Sequence, residues 1–268
     1  MRVLIAVKTY PALSTRYEEL VCTAGFDENG NWIRLYPIPF RKLDFASQYN
    51  KYDWIELDVI RNSEDPRPES YRPTNVDDIQ KTGHLDPENG RWTQRKNMVL
   101  RKIHTSMEDL ISEAKRKAIG TSLAVFKPRK VLDFKWEEES EKEWSAEKLA
   151  ILNQQNLFET QGAVFTPVRK LPVKFKYVFE SASGKKHELM IEDWEVGALY
   201  WKGFEKFRDV SKACEYVREK YLDTFVGKHD LHFFLGTTKE WHFIAPNPFI
   251  IVGTFHPLLN HQTSLFGD

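Results

Sequence analysis

The amino-acid sequence predicts an α+β fold, in which an N-terminal antiparallel β-rich module and a helical connector precede a C-terminal ββαββ-like module. Three observations support this prediction. Short runs of β-forming residues fill the first part of the chain, a long amphipathic helix pattern follows Trp194, and strand-like runs flank that helix in pairs. We expect a β-rich module at 1–105, a connector at 106–165, an α+β module at 166–257 and a tail at 258–268.

The first module is predicted from alternating apolar runs. Strand-like runs cover 3–7, 20–26, 32–36 and 54–60, and the second and third flank an Asn29-Gly30 pair, a strong hairpin signal. Residues 61–90 are polar and contain four prolines, which favours a long loop over a regular element. Loops of this length are often functional.

The connector is predicted to be helical and strongly charged. Ser106 precedes apolar residues at helical spacing that end at Gly120, so it is the expected N-cap of a first helix. A short strand at 130–136 and an acidic segment at 137–147 follow, and a second helix is expected at about 145–158.

The last module is predicted from two pairs of strands around one helix. The first pair covers 173–179 and 188–194, and the second covers 231–235 and 249–255. Between them, apolar residues recur every three or four positions up to Phe225, as in a helix with one buried face.

The composition is that of a globular protein without an overall charge. The 268 residues are 41% hydrophobic, and 39 basic residues balance 39 acidic ones, so attraction to nucleic acid must come from a local patch. Cys22 and Cys214 each lie within an apolar pattern, so they are expected to be buried thiols in a reducing compartment, and neither has metal-ligand spacing. No apolar run has the length of a membrane span or a secretion signal. We therefore expect a cytoplasmic protein without a membrane partner, and the oligomeric state stays open.

A short peptide near the end of the sequence carries the clearest functional signal. The segment Gln262-Thr263-Ser264-Leu265-Phe266 resembles the motif Gln-x-(Ser or Asp)-Leu-Phe with which bacterial proteins bind the β sliding clamp of DNA replication. Leu265 and Phe266 suit an apolar pocket, and the Gln262 amide suits hydrogen bonds at its rim. The resemblance implies a bacterial, phage or mobile-element protein, with Gln262, Ser264, Leu265 and Phe266 as clamp ligands. The alternative is a Leu-Phe pair that packs onto the core.

A basic region provides the expected nucleic-acid contacts. Residues 91–135 contain twelve basic and four acidic side chains, with aromatic residues between them, which suits phosphate contacts and base stacking. The alternative is a solvated helix face balanced by the acids at 137–147. With three arginines that precede this region in the chain, the candidate DNA-binding residues are Arg34, Arg67, Arg72, Arg95, Lys96, Arg101, Lys115, Arg116, Lys117, Arg129 and Lys130.

One group of residues is a candidate for catalysis. His187, Asp193 and Glu195 share the parity of one strand face, and an imidazole with carboxylates can hold Mg²⁺ or Mn²⁺ for phosphodiester hydrolysis. The alternative is a polar strand face on which Asp193 caps the following helix. Gly-rich phosphate loops and nucleophile-elbow motifs are absent from the sequence.

Several strings along the chain also resemble an uncharacterised family of bacterial proteins of about this size. They are 32–37, 67–70, 193–195, 233–237 and 249–253. The resemblance implies no activity. It implies cysteines in some members near the turn before Asp193, where this chain has Ser181, Ser183 and Lys185.

Together these observations predict a DNA-binding protein of replication, repair or phage defence that is recruited to the sliding clamp by its tail. Tethering raises the local concentration at DNA, so weak intrinsic DNA binding suffices. Two alternatives remain: a metal-dependent nuclease that acts at clamp-loaded DNA, and a non-enzymatic adaptor or inhibitor of the clamp.

Overall fold

The protein folds into two β-sheets with helices packed mainly on the second. The computed structural model describes residues 1–14, 18–151 and 166–259. The first sheet has eight strands in the order β6-β7-β4-β3-β1-β5-β8, and β2 pairs with β3. Its strands are β1 (Arg2–Lys8), β2 (Ala12–Ser14), β3 (Glu18–Phe26), β4 (Trp32–Ile38), β5 (Asp53–Glu56), β6 (Val59–Arg61), β7 (Ser70–Pro73) and β8 (Gln80–His84).

The second sheet has seven strands in the order β11-β12-β13-β15-β14-β10-β9. These are β9 (Ile103–His104), β10 (Leu123–Phe126), β11 (Lys130–Glu138), β12 (Val173–Glu180), β13 (Lys186–Ile191), β14 (His232–Thr237) and β15 (Phe249–Phe255). The helices are α1 (Thr93–Val99), α2 (Met107–Lys115), α3 (Trp194–Phe207), α4 (Val210–Arg218), a π-helical turn (Glu219–Thr224) and α5 (Phe225–Lys228). Mixed helix and strand content confirms the predicted α+β class. None of the helices in the described residues could cross a membrane.

Local sequence signals account for two of these elements. The β3–β4 hairpin turns at Gly30, whose φ of 82° is the left-handed conformation that glycine adopts without strain. Helix α2 begins where the Ser106 hydroxyl accepts a hydrogen bond from the Asp109 amide at 3.2 Å. It ends at Lys115, one turn earlier than predicted.

The segment predicted as a long loop contains two short strands. β7 and β8 lie within 61–90, and β8 pairs with β5 while β7 pairs with β4 and β6. Proline is tolerated here because Pro73 ends β7, where the missing amide interrupts no further ladder.

The predicted connector contributes two strands to the second sheet. β10 pairs with β14, and β11 pairs along its whole length with β12. The reason is hydrophobic: Phe126 and Phe134 are buried in the same core as Phe175 and Phe179. Residues 146–151 are helical, and the rest of the second predicted helix lies outside the described residues.

The long helix predicted from Trp194 to Phe225 is divided. Arg208 adopts a left-handed φ of 53° and ends α3. Asp209 then caps α4 by accepting a hydrogen bond from the Lys212 amide at 2.8 Å. The break keeps the apolar stripe on the core, with Val217 and Tyr221 buried behind the second sheet.

A third hydrophobic cluster joins the two sheets. Leu4, Ala6 and Val7 of β1 pack with residues of β14 and β15, among them Phe234 and Phe255. A single β-bridge between Thr9 and Asp193 continues this seam at the end of β1. β1 therefore packs one face into the core of the first module and its other face against the second module.

Candidate functional site

A large cleft lies where the two modules meet. Its volume is about 590 Å³, within the range of small-molecule sites. The first module contributes Lys8, Asn50, Lys51, Tyr52, Trp92 and Arg95 to its lining, and the second contributes Trp194, Glu195, Leu199, Lys220, Tyr221, Phe225, Thr254 and His256.

The end of β1 and the start of α3 position the cleft. Lys8 is the last residue of β1, and the bridge between Thr9 and Asp193 holds it beside the first turn of α3. Tyr52 has a left-handed φ of 68°, and its amide donates a 2.6 Å hydrogen bond to the Ile5 carbonyl. This strained turn brings Lys51 and Tyr52 to the cleft wall.

A buried cation between two carboxylates forms the floor of the cleft. The Lys51 ammonium donates to both Asp193 carboxylate oxygens and to Glu195 Oε2, each at 2.9 Å. The side chains of Lys51 and Asp193 are only 7% and 0% exposed, whereas Glu195 is half exposed. Asp193 also caps α3 by accepting from the Glu195 amide at 3.4 Å. One side chain thus fixes both the helix start and the ion pair.

The three groups carry two negative charges and one positive charge. Burial raises the pKa of Asp193 to about 6, with Glu195 adding to the rise and Lys51 opposing it. Burial also acts on Glu195, but attraction to Lys51 outweighs it and lowers the Glu195 pKa. For Lys51, attraction to both carboxylates overcomes burial and holds its pKa above the ordinary value. Lys51 therefore stays charged, and Asp193 is the carboxyl that accepts a proton first.

Lys8 is a second buried amine, without a carboxylate partner. Its Nζ donates to the Tyr49 carbonyl at 2.9 Å and lies 4.2 Å from the ring centre of Phe40 and 5.1 Å from that of Trp194. Among the described residues, no carboxylate lies within ion-pair distance of it. Burial, and then repulsion from Lys51, lowers the pKa of Lys8 to about 8, against weaker attraction from Glu195, Asp53 and Asp193.

Aromatic side chains and a third cation also line the cleft. The Arg95 guanidinium lies 3.9 Å from the ring centre of Tyr52 and 4.8 Å from that of Trp92. His256 stacks on Phe225 with ring centres 3.8 Å apart, and burial lowers its pKa to about 3. The imidazole is therefore neutral at pH 7, and a flat ligand in the cleft would meet rings on several sides.

The structure separates the three predicted catalytic residues. Glu195 lines the cleft and Asp193 is buried in contact with Lys51, but His187 lies near the far end of β13, roughly 20 Å from Asp193 by the rise of a strand. Its Nε2 is 3.1 Å from the Ser181 hydroxyl and 3.8 Å from Glu108. The described residues contain no group of three or more His, Cys, Asp and Glu side chains suited to a metal ion.

The predicted DNA-binding residues fall into two groups. Arg34, Arg67 and Arg95 are buried: Arg34 donates to Ser122, and Arg67 pairs with Asp65 at 2.6 Å. The others are at the surface, with Lys96 half-buried and Arg72, Arg101, Lys115, Arg116, Lys117, Arg129 and Lys130 exposed. Only Arg95 of the eleven lines the cleft.

The sequence prediction missed Lys8, Lys51, Trp92 and His256 as site residues. A usable signal existed at Lys8, because β1 is buried from Val3 onward and ends in a charged residue. The predicted clamp ligands Gln262, Ser264, Leu265 and Phe266 lie outside the described residues.

Two family profiles match the chain, one for each module. Domain of unknown function DUF8758 matches residues 1–101, and domain of unknown function DUF8757 matches residues 103–268. No curated protein is significantly similar in sequence. Among solved structures, a murine DNA binding protein bound with double-stranded DNA aligns over 72% of this chain and 73% of its own, at 13% identity and a TM-score of 0.30. Similarity at this level carries no argument about fold or function.

Proposed function

The chain belongs to the family of domain of unknown function DUF8757, and from its own residues we propose that it is a DNA-binding protein. It binds DNA through exposed basic side chains and receives one extruded nucleotide in the cleft between its modules. Its C-terminal tail recruits it to a bacterial DNA sliding clamp, which places it in replication, repair or defence.

The observation that carries this proposal is the combination of cations and aromatic rings in the cleft. Four cationic side chains, Lys8, Lys51, Arg95 and Lys220, accompany two acids, Asp193 and Glu195, and five aromatic residues line the same space. Aromatic faces stack on any base, and surplus cations pair with phosphate. An enzyme or reader that acts on a single base takes that base out of the duplex into such a pocket.

The exposed basic residues supply the contacts outside the cleft. Lys115, Arg116 and Lys117 are consecutive and exposed at the end of α2, and Arg101 is exposed after α1. Such residues attract phosphate without regard to sequence. The whole protein has no net charge, so DNA binding depends on this local surplus.

The first experiment measures binding of labelled DNA by fluorescence anisotropy over a series of salt concentrations. One duplex is fully paired, and a second carries one unpaired nucleotide. We expect tighter binding to the second duplex. We expect Arg95→Gln to remove this preference, because it removes the cation that lies against the Tyr52 and Trp92 rings in the cleft. Lys202→Gln, an exposed change outside the cleft, is the matched control. Equal binding of both duplexes by the wild-type protein would refute the extruded-nucleotide proposal.

Salt dependence separates phosphate binding from clamp binding alone. Each phosphate contact adds about −0.9 to the slope of log affinity against log salt concentration. Replacing Arg116 and Lys117 by glutamine should reduce this slope while leaving the preference for the unpaired nucleotide. A wild-type protein without salt-dependent binding would instead be a clamp adaptor.

The tail is tested separately by calorimetry with a purified bacterial β clamp. We expect the full-length protein to bind, and a chain that ends at Asn260 to lose binding because Leu265 and Phe266 are removed. A full-length variant with both residues changed to alanine keeps the tail length and should behave like the truncation. Binding that survives in both variants would contradict the assignment of the motif.

A further inference from the structure

Lys8 differs from Lys51, the other buried amine of the cleft, in having no carboxylate within ion-pair distance among the described residues. The Lys51 ammonium contacts two carboxylates, whereas the Lys8 amine contacts one carbonyl oxygen and the faces of aromatic rings. It is also held near a second cation. Burial in an apolar pocket and a neighbouring positive charge are the two conditions under which a lysine amine becomes a nucleophile at neutral pH.

The consequence is a supply of neutral amine near physiological pH. With a pKa of about 8, roughly a quarter of Lys8 side chains are uncharged at pH 7.5, compared with about one in a thousand for an ordinary lysine. A neutral amine has a free lone pair, and its usual reaction partner in proteins is a carbonyl carbon.

We propose that Lys8 is a nucleophile that forms an imine with a sugar aldehyde held in the cleft. The inference rests on the proposed function for the origin of the aldehyde. A nucleotide that has lost its base exposes C1′ of its ring-opened deoxyribose as an aldehyde. The Lys8 nitrogen adds to C1′, and the resulting carbinolamine loses its oxygen as water. The C=N bond replaces one C=O bond, without any change of oxidation state.

The surroundings of Lys8 suit this reaction. The cations Arg95 and Lys220 are available for the phosphates on either side of the sugar, and neither has a carboxylate in contact among the described residues. Half-exposed Glu195 lines the same cleft and can relay a proton from the attacking nitrogen to the C1′ oxygen, which then leaves as water. Asp53, Asp193 and Lys51 complete the charged groups that act on Lys8.

The test is borohydride trapping, in which hydride reduces the imine to a stable secondary amine. The full-length protein is mixed with a duplex that contains one abasic site, with free deoxyribose 5-phosphate, or with an intact duplex, and the modified lysine is identified by peptide mass spectrometry. We expect trapping at Lys8 with the abasic duplex, loss of trapping in Lys8→Met, and full trapping in Lys202→Met.

The other outcomes are decisive as well. Trapping at Lys8 with free sugar phosphate, but not with the abasic duplex, would retain the nucleophile and reject DNA as its source. Absence of trapping at Lys8 in a protein that still binds DNA would overturn the inference while leaving the proposed function. To exclude misfolding of the variant as a cause, lysines of the wild-type protein are competitively acetylated at pH 7.5. Lys8 should react out of proportion to its low exposure, and a rate below that of exposed lysines would overturn the inference.

Discussion

Replacing Lys8 by methionine is expected to stabilise the protein at neutral pH. The substitution keeps the length and much of the volume of the side chain but removes a charge that the fold buries without a partner. Most substitutions of buried residues destabilise a protein. A gain in stability would therefore identify Lys8 as a residue whose charge costs the fold free energy.

The pKa of Lys8 gives the magnitude of this effect. A decrease from 10.5 to about 8 corresponds to about 3 kcal/mol against the folded state while the amine is protonated, at 1.36 kcal/mol per pH unit. The lost hydrogen bond to Tyr49 and the lost ring contacts offset about 1–2 kcal/mol of the gain. We therefore expect the free energy of unfolding of Lys8→Met to exceed that of the wild-type protein by about 1–2 kcal/mol at pH 7.

The pH dependence has a definite sign. Between pH 8 and pH 10.5 the unfolded chain binds more protons at Lys8 than the folded protein does, so wild-type stability rises with pH in this window. Well below pH 8 both states are protonated, and the full cost is present. Relative to that of Lys8→Met, the free energy of unfolding of the wild-type protein should rise by about 2 kcal/mol between pH 7 and pH 9.5.

The assay is urea denaturation followed by tryptophan fluorescence at several pH values. Wild-type protein, Lys8→Met and the surface control Lys202→Met are compared at each pH. The stability difference between wild type and the control should stay constant. A constant difference between wild type and Lys8→Met across the same range would refute the reasoning, because it would mean that the folded protein does not perturb the Lys8 amine.

Three further substitutions test how the fold supports the cleft. Lys51→Met should lower the free energy of unfolding by about 3–5 kcal/mol, because it leaves the Asp193 carboxylate buried without its cation; a loss below about 1 kcal/mol in urea denaturation would contradict the ion-pair description. Gly197→Ala should cost about 1–3 kcal/mol, since the new Cβ would lie 2.1 Å from the Tyr10 ring, and an unchanged melting temperature would argue against that contact. Ser106→Ala should cost about 1 kcal/mol through loss of the α2 cap, which circular dichroism during thermal unfolding can measure, whereas Ser106→Asp should retain the stability.

Local sequence signals predicted the elements that depend on neighbouring residues. The Asn29-Gly30 turn, the Ser106 cap and the ββαββ order of the second module follow from patterns within a few residues. Strand membership was harder to predict. β11 lies in the second sheet because Lys130 pairs opposite Glu180, and no local pattern records a partner that far along the chain.

The site was only partly predictable for the same reason. Asp193 was identified both as a candidate catalytic residue and as a helix cap, and it does cap α3. Its contact with Lys51 joins residues 142 positions apart, so only the folded chain brings them together. Strand parity placed His187 with Asp193, but parity gives a face and not a distance. His187 and Asp193 are six residues apart, so they share a face but lie roughly 20 Å from each other along the strand direction.

The shared core at the seam between the modules predicts that the chain unfolds as a single cooperative unit. Val7 and Phe234 pack in one cluster although the family profiles divide the chain at residue 102. Neither half alone would bury its side of β1, so separation would expose apolar surface and remove one wall of the cleft. A ligand that bridges Arg95 and Tyr221 therefore acts as a cross-link between the halves, and its binding energy adds to the stability of the entire protein.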